Sequence, residues 1–187
     1  MSAEGTQRPG KAELEAARDR VIPDVLPDGG AVFRVLFSGI NPSLYSAATG
    51  HHFARPGNRF WPALHRSGFT GKLLAPSEQG LLAEYGLGIT NIVARSTARA
   101  DELSPEELRA GGERLEALVE RHRPRFLAVA GVTAYRAAFR RPNAAIGLQD
   151  ELVGSARLWV LPNPSGLNAS WTLDRIAGEF ARLRAHS

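Results

Sequence analysis

The chain has 187 residues, a length typical of one domain, and carries 23 Lys and Arg residues against 19 Asp and Glu residues. It contains no cysteine, which excludes a disulfide framework, a cysteine-ligated zinc site, an iron–sulfur cluster and a cysteine nucleophile. No apolar run approaches the roughly 20 residues of a membrane span, so we expect a soluble, cytoplasmic protein without membrane contact.

Acidic residues are unevenly distributed along the chain. None occurs in residues 29–77 or 152–173, whereas seven of the 19 lie between Asp101 and Glu120. We call 29–77 and 152–173 the first and second acid-free segments. With the net charge of +4, they indicate a surface for nucleic acid or another polyanion, provided that the two segments meet in the folded protein.

The first half of the chain is predicted to begin with a flexible segment over residues 1–10, followed by a single domain over 11–187. A short helix is expected over 11–21 and a connector rich in proline and glycine over 22–30. The apolar and β-branched residues 31–37 predict a buried strand. Residues 40–58 show no usable period and are predicted to form a long loop.

The second half alternates helices and strands. Its clearest helix begins at the N-cap Ser104, with Pro105 in the first turn and Glu107 as the capping-box partner, and ends before Pro124. The other expected helices span 59–66, 77–85, 133–139 and 172–184, and the other expected strands span 87–93, 126–130 and 158–161.

Short apolar strands that alternate with helices indicate βαβ units. The sequence therefore predicts an α/β fold, a single three-layer domain with a mostly parallel central sheet and helices on both faces. In such a sheet, loops at the carboxyl ends of the strands form the binding crevice. Each acid-free segment contains one of these loops.

The two loops carry the most specific patterns in the chain. The first begins Ser38-Gly39-Ile40-Asn41-Pro42-Ser43, and the second reads Leu161-Pro162-Asn163-Pro164-Ser165-Gly166-Leu167-Asn168. A glycine allows backbone to approach a ligand closely, and a proline holds the residue before it in an extended conformation. Each loop alone is compatible with an ordinary Asn-Pro turn, but the pair is specific.

Together the loops resemble those of the mismatch-specific uracil-DNA glycosylases, the family that includes thymine-DNA glycosylase. Three further segments follow the family's order, and the resemblance extends over residues 32–185: Phe53-Ala54-Arg55-Pro56, Asn58-Arg59-Phe60-Trp61 and Gly68-Phe69-Thr70. The resemblance implies a uracil-DNA glycosylase-like fold and a monomer that acts without a metal or other cofactor. Its substrate would be double-stranded DNA containing uracil mismatches, and the uracil nucleotide would flip out of the duplex before its N-glycosidic bond is hydrolysed.

The resemblance also implies roles for individual residues. Asn41 would hold the attacking water. Gly39 and the backbone N–H groups near Ile40 and Phe53 would contact the uracil, and the Phe53 ring would stack on it. The residues that would line the rest of the base pocket are Tyr45 and Ser46 on the C5 side of the pyrimidine, and Asn163 near the base and phosphates.

A wedge inserted into the gap left by the flipped base would comprise Ser165, Gly166, Leu167 and Asn168. The family often has Ser-Arg after the wedge leucine, whereas this chain has Asn168-Ala169. The absence of that arginine bears on how firmly the opposite guanine is held, and therefore on how mismatch-dependent the enzyme is.

A carboxylate that assists Asn41 has to come from outside the acid-free segments, because an amide orients a water but cannot accept its proton. We take Asp101, in the connection after the second strand, as the candidate catalytic carboxylate. The alternative is that Asp101 only complements the dipole of the helix that begins after Ser104.

Other chemistries have weaker support in the sequence. His51, His52 and His65 are expected to contact solvent or phosphate rather than a metal, since no zinc motif surrounds them. Lys72 lies in a turn, so no pocket lysine is expected for a lyase step and the predicted enzyme is monofunctional. Two alternatives remain: a broader uracil glycosylase that also acts on single strands, and a non-catalytic binder of damaged or mismatched DNA.

Overall fold

The computed structural model describes residues 7–187, so residues 1–6 of the predicted flexible start lie outside the described residues. The strands are β1 (Val35–Gly39), β2 (Leu87–Asn91), β3 (Phe126–Ala130), β4 (Gly147–Val153) and β5 (Ala156–Leu161). They form one sheet in the order β2-β1-β3-β5-β4, in which all neighbours are parallel except β4, which runs antiparallel to β5. The predicted α/β fold with a mostly parallel sheet is confirmed.

Helices cover both faces of this sheet. The α-helices are α1 (Lys11–Ala16), α2 (Leu44–Thr49), α3 (Phe60–Arg66), α4 (Pro105–His122), α5 (Val132–Phe139) and α6 (Leu173–His186), and 3₁₀ helices span Pro76–Tyr85 and Ala100–Glu102. Helices α3 and α6 pack against each other on one face, and α4 and α5 do so on the other. Among residues 7–187, no helix combines the length and apolarity needed to cross a bilayer.

Strand side chains alternate between two hydrophobic cores. In β1, Val35 and Phe37 belong to the core beneath α3 and α6, whereas Leu36 belongs to the core beneath α4 and α5. This period of two follows from the pleat of an extended chain, and it buries both faces of the strand. The central strands therefore read as continuous apolar runs, which is why most of them were predictable.

Helix α4 has the N-terminus that the sequence predicts. The Ser104 hydroxyl accepts a hydrogen bond from the Glu107 N–H at 3.1 Å, and the Glu107 carboxylate accepts one from the Ser104 N–H at 2.9 Å. The helix ends at His122, and Arg123 adopts a left-handed conformation (φ 50°) before Pro124.

The predicted long loop over 40–58 is wrong in part, because it contains α2. Ser43 caps this helix by accepting a hydrogen bond from the Ser46 N–H, and Gly50 ends it with a positive φ of 74°. Six residues give less than two turns, too few for a hydrophobic period to be visible in the sequence.

Three further elements differ from the prediction. Strand β4 was missed because it pairs only with β5, at the edge of the sheet, and its central side chains are mostly exposed and polar. Helix α1 is shorter than the predicted 11–21, because the chain turns at Asp19 (φ 63°), whose N–H donates to the Ser96 carbonyl. The first strand begins and ends later than the predicted 31–37.

Candidate active site

A cavity of about 380 Å³ lies at the carboxyl ends of the parallel strands. The loops that follow β1 and β5 enclose it together with residues 97–101, after β2. The backbone N–H of Arg59, in the first acid-free segment, donates to the Pro164 carbonyl of the second at 2.9 Å. The two acid-free segments therefore meet in space, which was the condition for a surface that a polyanion can approach.

Most residues that the sequence singles out line this cavity: Gly39, Ile40, Asn41, Ser46, Phe53, Asp101, Asn163, Ser165, Leu167 and Asn168. Tyr45 and Gly166 do not. Tyr45 is adjacent to Ser46 in α2, and successive helical residues point about 100° apart, so only Ser46 faces the cavity. The contact of Tyr45 with a base stays a prediction, and Tyr45 is outside the cavity lining.

The Asn41 side chain is oriented by two hydrogen bonds from its amide nitrogen. Nδ2 donates to the Arg95 carbonyl at 3.0 Å and to Thr97 Oγ1 at 2.8 Å. A carbonyl only accepts, so the atom that faces Arg95 must be the nitrogen. Within residues 7–187, Oδ1 accepts no hydrogen bond, and Asn41 lines the cavity, so the lone pairs of this oxygen are available to a ligand. This oxygen can orient a water molecule by accepting one of its protons.

The Phe53 ring forms an aromatic surface at the cavity. It stacks on Phe60, with centroids 4.1 Å apart and planes 15° apart, and Phe60 is fully buried. Phe53 adopts a φ of 52°, a conformation that costs a bulky residue free energy and has to be held by its surroundings. The backbone N–H groups of Ile40 and Phe53 donate to no backbone or side-chain acceptor within residues 7–187, so both remain available to a ligand.

Gly39 and Asn91 form the inner end of the cavity. A methyl group at Gly39 would lie 2.5 Å from Asn91 Oδ1 and 3.2 Å from the Phe53 ring. Both side chains can therefore occupy their positions only because residue 39 has no side chain. Sequence reasoning missed Asn91. A polar residue that closes the buried strand β2, beside the first loop, was the available signal.

The buried His52 side chain holds the Asn91 amide through a hydrogen bond. Its Nε2 lies 2.9 Å from the Pro23 carbonyl and must carry the proton, so Nδ1 accepts from the Asn91 amide at 3.3 Å. Burial lowers the pKa of His52, against the opposing effects of the Pro23 carbonyl and Asp24. The expected contact of His52 with solvent or phosphate is wrong, because this side chain is buried.

The loop after β5 is closed by its own side chains. Asn163 Oδ1 accepts from the Ser165 N–H at 3.0 Å, and the Asn168 amide donates to the Asn163 carbonyl at 3.0 Å. Gly166 lies against the first loop, where a methyl group would be 2.8 Å from the Gly57 carbonyl oxygen. Leu167 remains 71% exposed at the tip.

Asp101 lines the cavity at its rim and pairs with Arg99. Its carboxylate receives Arg99 Nε at 3.1 Å and Nη2 at 3.0 Å, and its side chain is 66% exposed. It lies in the short 3₁₀ helix before Ser104. This position is compatible with both roles considered for Asp101: it could assist Asn41, or it could only complement the dipole of the helix that follows.

Charged groups at the cavity are predominantly basic. Among residues 7–187, Arg55 and Arg99 line it alongside the single carboxylate of Asp101. Neither lysine of the described chain contributes to the lining, and Lys72 pairs with Glu78 on the surface at 2.9 Å. The part of the chain that the structure describes contains no group of three or more His, Asp or Glu side chains able to hold a metal ion.

The cavity thus combines an oriented amide oxygen, a stacking surface, available backbone donors and a basic rim. Such a site can take a flat, polar ring and direct a water at an atom attached to it. The family model described as "Uracil DNA glycosylase superfamily" matches residues 26–183, most of the chain and all of the cavity lining. The protein therefore belongs to the uracil DNA glycosylase superfamily.

Proposed function

We propose that the protein is a monofunctional, mismatch-specific uracil-DNA glycosylase that acts as a monomer on double-stranded DNA. It hydrolyses the N-glycosidic bond of uracil, with related pyrimidine adducts or thymine as further substrates, and leaves an abasic site for base-excision repair. The orientation of Asn41 carries this proposal. Both of its N–H groups are engaged by the protein, so its oxygen is available to a water inside a cavity of base size.

The flipped uracil would stack on Phe53, which Phe60 supports from behind. The free N–H groups of Ile40 and Phe53 would donate to its polar edge. In this pose the base is held by its shape and its acceptors. Because Tyr45 is outside the lining, Ser46 is left to contact the C5 side of the pyrimidine.

The reaction breaks the bond between C1′ of the deoxyribose and N1 of uracil, and the electron pair leaves with the base. The water held by Asn41 Oδ1 bonds to C1′ and releases a proton to solvent or to Asp101. Positive charge develops on the sugar, where the negative end of the Asn41 amide dipole stabilises it. Hydrogen bonds from the backbone N–H groups stabilise the negative charge that develops on the uracil.

A glycosylase assay with oligonucleotides tests the proposal. Duplexes with U·G, U·A or T·G pairs and a single strand with uracil are incubated with the protein and then cleaved with alkali. We expect the fastest excision from U·G, and no strand cleavage before alkali because no lysine of residues 7–187 lines the cavity. Asn41→Ala should lower the single-turnover rate by about 10²-fold or more, as loss of a group that stabilises the transition state does.

The matched control is Asn143→Ala, which removes an exposed asparagine in the turn before β4. It should excise at the wild-type rate. Equal rates on U·G, U·A and single strands would favour the broader glycosylase. Binding without alkali-labile product on any substrate would leave only a binder of damaged or mismatched DNA.

A further inference from the structure

Arg59 connects the two loops of the candidate site through backbone carbonyl groups. It lies at the N-cap of α3, and its own N–H donates to the Pro164 carbonyl. Its guanidinium donates to the carbonyls of Ser165, Trp171 and, at 2.9 Å, Asn168, with a longer contact of 3.4 Å from Nε to Pro164. Arg59 forms no ion pair with a carboxylate within residues 7–187. Its charge is therefore solvated by the loop itself.

The residues beside Arg59 touch both halves of the site. Gly57, two residues earlier, is the backbone against which Gly166 rests. Phe60, the next residue, supports the Phe53 ring. One short segment, residues 57–60, thus contacts both the loop that bears Leu167 and the buried side of the Phe53 ring, on which a nucleobase would stack.

We propose that Arg59 is a positioning residue that holds the loop of residues 163–168 in register with the base pocket. In this way it couples insertion of Leu167 into the duplex to stacking of the flipped base on Phe53. The inference rests on the proposed function, and it assigns to Arg59 a role in opening the duplex rather than in breaking the glycosidic bond.

A guanidinium is suited to this role and an ammonium is not. Arginine presents five N–H donors in a rigid planar fork, so it can serve several carbonyls of one loop at once. Lysine has three donors at the end of a flexible chain and keeps the charge without the fork. Arg59→Lys therefore tests the geometry of the loop while the attraction of the site for phosphate is retained.

The experiment compares two duplexes that differ only opposite the uracil. One carries a U·G pair, and the other places an abasic-site analogue opposite the uracil, so no base pair has to be broken. We expect Arg59→Lys to lower the single-turnover rate on U·G by about tenfold or more, since small misplacements of this kind are costly. The rate on the unpaired uracil should change by less than about threefold, because that substrate needs little help from the wedge. The matched control is Arg182→Lys, an exposed arginine on α6 that pairs with Glu179.

A second variant disturbs the contact between the two loops through a residue of the second loop instead of through Arg59. Gly166→Ala places a methyl group against the Gly57 carbonyl, so the loop must shift although Arg59 is intact. It should show the same loss on U·G alone, together with a smaller fluorescence rise from 2-aminopurine placed beside the uracil, which reports unstacking. Combining Arg59→Lys with Leu167→Ala should cost little more than Leu167→Ala alone, because both act through the wedge.

Three results would overturn the inference. They are an unchanged U·G rate in both variants, an equal loss on both duplexes, and additive losses in the double variant. An equal loss accompanied by a lower melting temperature would make Arg59 a purely structural residue. Failure of the proposed function looks different, because the wild-type protein would then excise uracil from neither duplex.

Discussion

Asn41 and Leu167 show how the surroundings of a single side chain indicate its role. The amide of Asn41 is held by two hydrogen bonds beneath the cavity, which leaves one oxygen with a defined direction. Leu167 has the opposite environment, since an aliphatic side chain stands largely in water at the tip of a loop whose backbone is well bonded. A residue so exposed contributes little to the core and is available to a partner.

Replacing Leu167 separates its contribution to the stability of the fold from its contribution to opening the duplex. Leu167→Ala should leave the melting temperature within about 1–2 °C of the wild type, because little buried apolar area is lost. Excision from a U·G duplex should fall, and the fluorescence change on base flipping should shrink. Calorimetry and stopped-flow fluorescence measure the two effects. A markedly lower melting temperature would instead identify Leu167 as a packing residue.

Asp101 is tested by a change that keeps its shape. Asp101→Asn removes the charge, and general base or electrostatic assistance of this kind is typically worth about 10²–10⁴-fold. If Asp101 assists Asn41, the single-turnover rate on U·G should fall by at least the lower end of that range, while DNA affinity is no lower than in the wild type. The control is Asp150→Asn, on the exposed edge strand β4. An unchanged rate would leave Asp101 as the partner of Arg99 alone.

At the scale of elements, three parts of the chain converge on the inner end of the cavity. The connector before β1 supplies the Pro23 carbonyl, the first loop supplies His52, and the end of β2 supplies Asn91. Val25 in the same connector exchanges two backbone hydrogen bonds with Ile89, which fixes it along the edge of β2. The orientation of the Asn91 amide therefore depends on the protonation state of a buried histidine.

This arrangement predicts a pH dependence of stability. The pKa of His52 is lower in the folded state than in the unfolded state, so the unfolded chain binds more protons at acidic pH. Its contribution to stability is complete above the unfolded pKa of about 6.5 and is lost as the pH falls towards the folded pKa. The melting temperature should therefore decline below about pH 6.5.

The variant His52→Gln isolates this contribution. Glutamine offers both a donor for the Pro23 carbonyl and an acceptor for the Asn91 amide, but it does not titrate in this range. Melting curves from pH 7.5 to 5 should show a shallower decline than in the wild type. His65→Gln, at an exposed site on α3, is the control and should decline as the wild type does. Equal slopes for His52→Gln and the wild type would contradict the prediction.

At the scale of the whole molecule, charge is segregated towards the site. The acid-free segments, far apart in the chain, are brought together by the order of the strands, and they present Arg55 at the cavity without an ion-pair partner in residues 7–187. Acidic residues concentrate instead around α4. A phosphodiester chain can therefore approach the cavity with little repulsion.

Duplex affinity should accordingly decrease with salt, with a slope of log K against log salt of about −0.9 per neutralised phosphate. Arg55→Gln should make that slope shallower by about one unit. Arg121→Gln is the control, because this exposed arginine lies at the end of α4 that leads into the amino end of β3. Fluorescence anisotropy over a salt series measures the three slopes. A flat response in the wild type would remove the electrostatic argument.

Local physical chemistry made much of this protein predictable. Continuous apolar runs marked the central strands, a capping box marked the start of α4, and prolines and glycines marked the two loops. The two candidate loops could be located because they follow buried strands, and parallel strands place their carboxyl ends at one edge of the sheet. The roles expected of Asn41, Phe53 and Leu167 came from the resemblance of these loops to those of the mismatch-specific uracil-DNA glycosylases.

Only the tertiary structure decided the features that depend on neighbours distant in the chain. Edge strand β4 is held by pairing with β5 rather than by burial, so its polar residues resemble a loop. Tyr45 is turned from the cavity by a helix too short to be recognised, and Asn91 is directed into it by a histidine from another segment. Hydrogen bonds and packing between such segments leave no periodic trace in the sequence, because they depend on which surfaces meet after folding.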